Sequence, residues 1–191
     1  IFTGVSNHVI ATAHASLVRA AAYFQQQGIA PMILGDSVTG EAREVAKVYG
    51  ALVRQIREHN HPIKPPVALI SGGECTVTLA ALDEGEDPND PANARKGGRC
   101  CEFLLSLAID LDGMEDVYAL ACDTDGIDGV EANAGAWLSP ESLRLAAEQQ
   151  ANPTVLLRRN DSYSFFAATN QLIVTGPTRT NVNDYRVILI L

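Results

Sequence analysis

The stretch Val67-Ala68-Leu69-Ile70-Ser71-Gly72-Gly73-Glu74 changes from an apolar run to a glycine pair and a carboxylate. A short, continuous apolar run is typical of a strand that is buried on both faces of a sheet. In open α/β sheets, ligands bind beyond the carboxyl ends of such strands. The stretch therefore predicts a buried strand that ends at a functional edge.

The residues before this strand indicate alternating strands and helices. The patterns predict a strand over 8–12, a helix over 14–27, a strand over 31–34 and a helix over 40–58. The segment 59–66 contains three prolines and reads as a boundary. We therefore divide the chain into a first unit over 1–62 and a second over 63–191.

The residues after Glu74 continue the alternation. We expect strands over 77–82, 117–122, 171–175 and 185–191, and helices over 100–111, 139–150 (with Ser139 as N-cap) and from about Asp161. The acidic stretch Asp83–Lys96 lacks apolar periodicity and should be an exposed loop. The pattern predicts an α/β fold, with a mostly parallel sheet and helices on both faces.

Composition narrows the range of partners. The formal net charge is -9, and the Lys and Arg residues are scattered, which argues against nucleic-acid binding. No run of eighteen apolar residues or signal peptide is present, so we expect a cytoplasmic protein without a membrane partner. The chain begins in an apolar stretch without Met, and we expect it to be a fragment of a longer polypeptide. The four cysteines have no metal or disulfide spacing and should be free thiols.

Three polar, glycine-containing loops each follow an apolar strand: Ser71–Glu74, Asp123–Gly129 and Gly176–Asp184. If these strands point the same way, the loops meet at one edge of the sheet. That convergence is the strongest physical indication of a site.

Each loop has a functional and a structural interpretation. The amides of Gly72 and Gly73, beside Ser71 and Glu74, can cradle a phosphate or form a tight turn. Asp123 and Asp125, with Asp128 nearby, can bind Mg²⁺ or cap backbone amides.

Two further elements allow both interpretations. Arg99 follows two glycines and precedes a helix, so it can bind an anion or form a surface salt bridge. In the third loop, Thr178, Asn181 and Asp184 can hold substrate hydroxyls or satisfy their own backbone.

Several known fingerprints are absent from the sequence. It contains no Walker phosphate loop, no G-x-G-x-x-G dinucleotide fingerprint and no G-x-S-x-G nucleophile elbow.

Taken in order, several motifs resemble the MOFRL domain of bacterial glycerate 2-kinases. They are Ser71–Glu74 followed by Thr76-Val77-Thr78, Gly97-Gly98-Arg99, Asp123–Gly129, Asn160-Asp161-Ser162-Tyr163 and Thr175–Asp184. The first unit, with Gly35-Asp36 and Gly40-Glu41-Ala42-Arg43, is similar to the end of the larger N-terminal domain of that family. The resemblance implies a kinase that uses ATP and Mg²⁺ to phosphorylate the 2-hydroxyl of D-glycerate between two domains.

The resemblance also has departures. The family usually reads Gly-Gly-Arg-Asn-Gln-Glu where this chain has Gly97-Gly98-Arg99-Cys100-Cys101-Glu102, and the stretch 83–94 resembles an insertion. Most of the N-terminal domain, with a lysine expected to face the cleft, lies outside this sequence, so the fragment alone should be inactive.

These patterns lead to one assignment with two alternatives. We expect Arg99 to be catalytic, Ser71, Gly72, Gly73, Glu74, Thr178, Asn181 and Asp184 to bind substrate or phosphate, and Asp123 and Asp125 to hold Mg²⁺. Since Arg99 should be partly exposed, we expect its replacement to leave folding nearly unchanged. The alternatives are an NAD(P)H-dependent hydroxypyruvate reductase, a label that relatives carry through a link to tartrate degradation, and a noncatalytic ligand-sensing or oligomerisation module. For the protein itself, a homodimer is a candidate assembly.

Overall fold

The run that begins at Val67 forms a buried strand that pairs with a neighbouring strand on each side. The structure, a computed structural model, describes residues 4–6, 8–81, 87, 90 and 94–191. Its helices are α1 (Ala13–Gln26), α2 (Ala42–His59), α3 (Arg99–Leu111), α4 (Ser142–Glu148), α5 (Pro153–Arg158) and α6 (Ser162–Ala168). Its strands are β1 (Ala30–Val38), β2 (Val67–Gly73), β3 (Val117–Asp123), β4 (Gly135–Leu138), β5 (Leu172–Ile173) and β6 (Asp184–Ile190).

The six strands form one sheet in the order β1-β2-β6-β3-β4-β5. Only the β1–β2 pair is parallel, and the other four neighbouring pairs are antiparallel. The α/β class is thus confirmed, whereas the expectation of a mostly parallel sheet is wrong. The reason is that β6 inserts between β2 and β3 in the opposite direction, and β4 returns antiparallel to β3 after the connection 124–134.

The predicted loops still meet at one edge of the sheet, although the sheet is mostly antiparallel. Because two antiparallel steps restore the direction, β2, β3 and β5 all point the same way. Their carboxyl ends lie at one edge, and β6 begins at that edge with Asp184.

Alternation along β2 explains why its apolar run is continuous. Val67 and Leu69 join the large core made with α2 and α3, while Ala68 and Ile70 face α1. All seven residues of β2 are buried. Helices therefore cover both faces, as predicted, which explains why the positions from Val67 to Ile70 are all apolar.

Three predicted elements differ in the structure. Residues 8–12 form no strand: Val9 and Ile10 are exposed, and Thr12 caps α1 by accepting a hydrogen bond from the Ala15 amide at 3.1 Å. Without a neighbouring strand in the described part of the chain, the apolar run has no ladder to join. The strand expected over 77–82 is also absent from the described residues 77–81. The amides of Thr78 and Ala80 donate to the side chains of Glu41 and Asn160 rather than to a neighbouring strand. Leu82 and most of the stretch 83–96 lie outside the described residues.

The helix expected from Ser139 begins later. Ser139 and Pro140 form a turn, in which the Ser142 amide donates to the Ser139 carbonyl at 3.1 Å, and α4 starts at Ser142. Asp161 does cap α6 as predicted, by accepting from the Ser164 amide. The sequence patterns missed β4 and α5, both of which are short.

The division at residue 62 remains a prediction. β1 nevertheless pairs with β2 across it, and α2 packs in the same core as α3. The expectation of free thiols is confirmed for all four cysteines. Within the described residues, no helix is long and apolar enough to cross a membrane.

Candidate functional site

Arg99 lies at the edge of the sheet where the predicted loops meet. As the first residue of α3, it extends its side chain over the ends of β3 and β6. Its Nε donates to Asp184 Oδ1 at 2.7 Å, and its Nη2 donates to Asp123 Oδ2 at 2.6 Å. Nη1 faces Glu74 Oε1 at 3.4 Å, beyond a good hydrogen bond. The guanidinium thus joins residues from all three loops.

The three carboxylates around Arg99 differ in exposure. The side chains of Asp123 and Asp184 are almost fully buried, whereas that of Glu74 is 59% exposed. Arg99 itself keeps 25% of its side chain accessible. Two of its donor positions are therefore fixed by buried groups, and the third faces a partner that solvent can replace.

Burial and charge act against each other at this site. Burial lowers the pKa of Arg99, but the hydrogen bond and charge of Asp184 and the charge of Asp123 more than offset this, so the pKa lies above its usual value. Burial raises the pKa of Asp123, which the Asp125 amide and the charge of Arg99 lower only in part. Arg99 is therefore a permanent cation at neutral pH.

A second, fully buried arginine, Arg186, pairs with Asp184 from the core side of the site. Arg186 Nη2 donates to Asp184 Oδ2 and, at 3.2 Å, to Cys75 Sγ, while its Nη1 donates to the Gly72 carbonyl at 3.3 Å. Its guanidinium lies 5.4 Å from the ring centroid of Phe103 in α3. Asp184 is thus held between two arginines, one in the core and one at the edge.

The loops 123–129 and 176–184 are joined by hydrogen bonds. The Thr178 amide donates to the Asp125 carbonyl at 3.0 Å, and the Thr178 hydroxyl donates to the Thr124 carbonyl. The Thr124 hydroxyl donates to the Asn183 carbonyl at 2.7 Å and accepts from the Val182 amide at 2.9 Å. The two loops form one rim beside Arg99.

Thr178 and Asn181, predicted to bind substrate, are exposed on this rim. The side-chain oxygen of Asn181 accepts from the backbone amide of Asn183 at 3.0 Å, and the side-chain nitrogen of Asn181 takes no part in that bond. Both predicted residues are accessible to a ligand, and both also stabilise their own loop.

The glycine pair lies within a strand rather than in an open loop. Gly72 and Gly73 belong to β2, where they pair with Tyr185 and Asp184 of β6. A side chain at Gly73, whose φ is +113°, would meet the Val38 carbonyl oxygen at 2.2 Å. These glycines therefore permit close packing of β1 and β6, and the predicted loop is wrong because the strand extends through it.

Ser71 is fully buried, and among the described residues its hydroxyl has no hydrogen-bond partner. The Tyr49 hydroxyl of α2 is also buried, and burial raises the pKa of Tyr49. The alternation that places Val67 and Leu69 on this face also directs Ser71 there. Its predicted contact with substrate remains a prediction, and its burial favours a structural role. Glu74 is the accessible residue of this motif.

The predicted magnesium ligands do not form a metal site by themselves. Asp123 Oδ2 accepts from Arg99, and its Oδ1 accepts from the Asp125 amide at 3.1 Å. Asp125 is partly exposed, and its Oδ1 accepts from the Ile127 amide at 2.8 Å. Across the described residues, no group of three or more His, Cys, Asp or Glu side chains could hold a metal ion.

Sequence reasoning missed a buried carboxylate on α3. Glu102 is 1% exposed and accepts from Arg43 Nε at 2.8 Å and from Asn160 Nδ2 at 3.1 Å. Arg43 lies on α2, and Asn160 precedes α6. The retained Glu of the Gly-Gly-Arg motif was the available signal, since an acid within an apolar helix needs a partner.

Cys100 and Cys101, which replace the family's Asn and Gln, lie inside the protein. Both are fully buried, and burial raises the pKa of each thiol well above its usual value. Asn133 Nδ2 donates to Cys101 Sγ at 3.3 Å. The two thiols therefore pack in the core rather than facing the rim.

Comparison with known proteins places this geometry in a family. The MOFRL family matches residues 67–184. An Agrobacterium vitis protein named "Putative hydroxypyruvate reductase" is 44% identical over 182 residues, which are 95% of this chain and 39% of that protein. The D-glycerate 2-kinase of Thermotoga maritima is 31% identical over 189 residues, which are 99% of this chain and 42% of that protein.

Solved structures agree with the sequence relatives. The crystal structure of glycerate kinase from Thermotoga maritima has a TM-score of 0.87 and 30% identity, and the match covers 100% of this chain and 43% of that one. This chain thus spans less than half the length of the relatives it matches.

Proposed function

Since the chain belongs to the MOFRL family, we propose that it supplies the Arg99 side of the active site of a glycerate 2-kinase, which transfers a phosphoryl group from ATP to the 2-hydroxyl of D-glycerate. The observation that carries the proposal is the fixed guanidinium of Arg99 at the edge where β2, β3 and β5 end. The glycerate kinases among the relatives support this substrate class.

Arg99 is suited to stabilise anionic charge. Its Nε and Nη2 are held by Asp184 and Asp123, so the plane of the guanidinium is set before any ligand arrives. Nη1 contacts only the exposed Glu74, at 3.4 Å, among its described contacts. An incoming carboxylate or phosphate can take that place, and a preorganised donor costs no reorganisation at the moment of reaction.

The rim provides the second half of the proposed contact surface. Thr178, Asn181 and Glu74 are exposed beside Arg99, where hydroxyl, amide and carboxylate groups can bind the hydroxyls of glycerate. Asp184 acts indirectly by holding Arg99. Ser71, Gly72 and Gly73 are retained only as a support for this edge, because their described contacts are to neighbouring strands and α2.

ATP and Mg²⁺ remain part of the proposal because kinases of this kind transfer phosphate from a magnesium-bound nucleotide. Asp123 and Asp125 as they stand do not fit a preformed ion site, since Asp123 is already engaged through both oxygens. Phosphate oxygens and groups outside this chain would have to supply most ligands, as is usual for Mg²⁺. No step of the mechanism proposed here depends on that ion.

Residues 1–62 are proposed to belong to the larger domain that completes the cleft. A cytoplasmic location, homodimeric assembly and a link to tartrate degradation stay predictions of the sequence.

The test uses the complete polypeptide. It is incubated with D-glycerate, ATP and Mg²⁺, and products are identified by ³¹P NMR, which separates 2-phosphoglycerate from 3-phosphoglycerate. We expect 2-phosphoglycerate and ADP in equal amounts. No phosphorylated product at any glycerate concentration would refute the proposal.

The names of the Agrobacterium vitis relatives favour a second candidate, a hydroxypyruvate reductase. The same preparation is therefore incubated with hydroxypyruvate and NADH or NADPH, and absorbance at the nicotinamide band is followed. Oxidation of the cofactor without phosphate transfer would select the reductase. Binding of glycerate or ATP without turnover of either would select the noncatalytic module.

A further inference from the structure

Asp128 has no role in the proposed chemistry, yet it is almost fully buried directly beneath Arg99. Its exposed fraction is 1%. Oδ1 accepts from the Cys100 amide at 3.0 Å, and Oδ2 accepts from the Cys101 amide at 2.8 Å. These are the two amides that follow Arg99 at the start of α3. The residue in the N-cap position, Gly98, has no side chain that could do this.

Two glycines, Gly98 and Gly129, lie where the 123–129 loop packs tightly against the start of α3. A Cβ atom on Gly98 would lie 2.2 Å from Asp128 Oδ1 and 2.4 Å from the Asp128 carbonyl carbon. A Cβ atom on Gly129 would lie 2.6 Å from the Gly97 carbonyl oxygen. The backbone of the 123–129 loop is therefore packed directly against the backbone that carries Arg99.

The same loop also holds the Arg99 side chain, through Asp123. One short loop thus fixes Arg99 at two points: Asp128 binds the backbone beyond it, and Asp123 binds its guanidinium. Burial raises the pKa of Asp128, and the hydrogen bonds from Cys100 and Cys101 lower it in part.

We propose that Asp128 is a positioning residue for the phosphoryl transfer, which caps α3 from the neighbouring loop and thereby sets the direction in which Arg99 offers Nη1 to an anionic substrate. This inference rests on the proposed function. It gives Asp128 a role different from that of Asp123: both oxygens of Asp128 accept from backbone amides of α3, whereas Asp123 accepts from the Arg99 guanidinium and from the Asp125 amide of its own loop.

The test replaces one carboxylate oxygen by a donor. In Asp128→Asn, the amide group can accept from only one of the two backbone amides and opposes the other with its own N–H groups. In the complete polypeptide we expect kcat/KM for D-glycerate to fall by about 10-fold or more, since a small misplacement of a catalytic group is costly. Asp128→Ala removes both acceptors without adding opposing N–H groups, so it should also lower kcat/KM, and it serves if the first variant does not fold.

A double-mutant cycle distinguishes positioning from a general loss of structure. If Asp128 acts through Arg99, then Asp128→Asn added to Arg99→Lys should lower kcat/KM by less than threefold more. Asn152→Ala is the matched control, because Asn152 also caps a helix, accepting from the Val155 amide at 3.1 Å, but lies on α5. It should lower the melting temperature without changing kcat/KM.

A second measurement does not depend on activity. The Arg99 Nε–H resonance, assigned by its absence in Arg99→Lys, should shift or broaden in Asp128→Asn and stay unchanged in Asn152→Ala. Equal losses of kcat/KM in both backgrounds, or an unshifted Nε–H signal, would overturn the inference. If the wild type transfers no phosphate, the proposed function fails, and the resonance still decides whether Asp128 orients Arg99.

Discussion

Arg99 combines two features: its guanidinium pairs with two buried carboxylates, and its Nη1 faces the exposed Glu74. Its contacts to Asp123 and Asp184 use two separate nitrogens of the planar guanidinium, a geometry that an ammonium group cannot reproduce. A lysine could approach one carboxylate well, but not both while also facing outward.

We therefore predict that Arg99→Lys in the complete polypeptide lowers kcat/KM for D-glycerate by about 10²-fold or more, because a preorganised donor is lost while the charge remains. Steady-state kinetics with purified variants measures this. Arg144→Lys is the control, since the ion pairs of Arg144 with the described residues Glu141 and Glu148 are exposed. Turnover within threefold of wild type would show that Arg99 lies outside the catalytic machinery.

The structure changes the expectation for stability in the same variant. The sequence suggested an exposed arginine of little structural value, but its partners Asp123 and Asp184 are buried. Loss of a hydrogen bond to such a charged group costs on the order of 1 to 3 kcal/mol. Arg99→Lys should thus also melt below wild type.

At the scale of helices and strands, Glu102 connects three elements. Arg43 on α2 and Asn160 before α6 both donate to this carboxylate on α3. Burial raises the pKa of Glu102 above its usual 4.5, and the hydrogen bond and charge of Arg43 lower it only in part. The folded state therefore holds the Glu102 proton more tightly than the unfolded state.

The pH dependence follows from this sign. A raised folded pKa means that the stability contributed by Glu102 is fully present below its unfolded pKa and declines as pH rises towards the folded pKa. Glu102→Gln has no such decline. The free energy of unfolding of the wild type minus that of the variant should therefore decrease as pH rises above about 4.5. Urea denaturation at several pH values measures the difference. A gap that widens with pH would contradict the assigned shift.

The start of α3 gives a second prediction at this scale. Gly98→Ala should destabilise the protein and reduce activity, because the new Cβ would meet the Asp128 backbone at 2.4 Å. Gly50→Ala on α2 is the matched control: its new Cβ would also be crowded, but by the carboxylate of Asp110, a side chain that can rotate away at the cost of a partly exposed ion pair with Arg54. Thermal melting and kcat/KM should both separate the two variants, and similar values for both would contradict the packing argument.

How far the sequence could predict these elements depends on local signals. Helices α1, α2 and α3 have long apolar periodicity or clear ends, and their predicted bounds agree with the structure within about two residues. Nothing local indicates that β6 inserts between β2 and β3, because that pairing joins residues more than a hundred positions apart. For the same reason the sequence could predict that Arg99, Asp123 and Asp184 lie at the same edge of the sheet, but not that they form ion pairs.

Across the whole molecule, a line of buried charge runs from the core to the edge. Arg186 on β6 donates hydrogen bonds to the β2 backbone, Cys75 and Asp184. Asp184 in turn accepts a hydrogen bond from Arg99. Removing one member of such a buried pair leaves a charge without its partner, which costs more than the pair contributes. The edge that presents Arg99 therefore depends on a residue that no substrate can reach.

We predict that Arg186→Met destabilises the protein by about 3 kcal/mol, near the lower end of losses for broken buried pairs, because Arg99 still neutralises Asp184. Methionine fills a similar volume, so the loss should come from the charge and hydrogen bonds rather than from a cavity. Since Asp184 would then relax, kcat/KM should fall as well. Arg144→Met removes an arginine that is 58% exposed and should change neither the midpoint of urea denaturation nor activity appreciably. If the two methionine variants unfold at the same urea concentration, the buried network does not stabilise the fold, and the support that it gives to Arg99 must come from backbone packing alone.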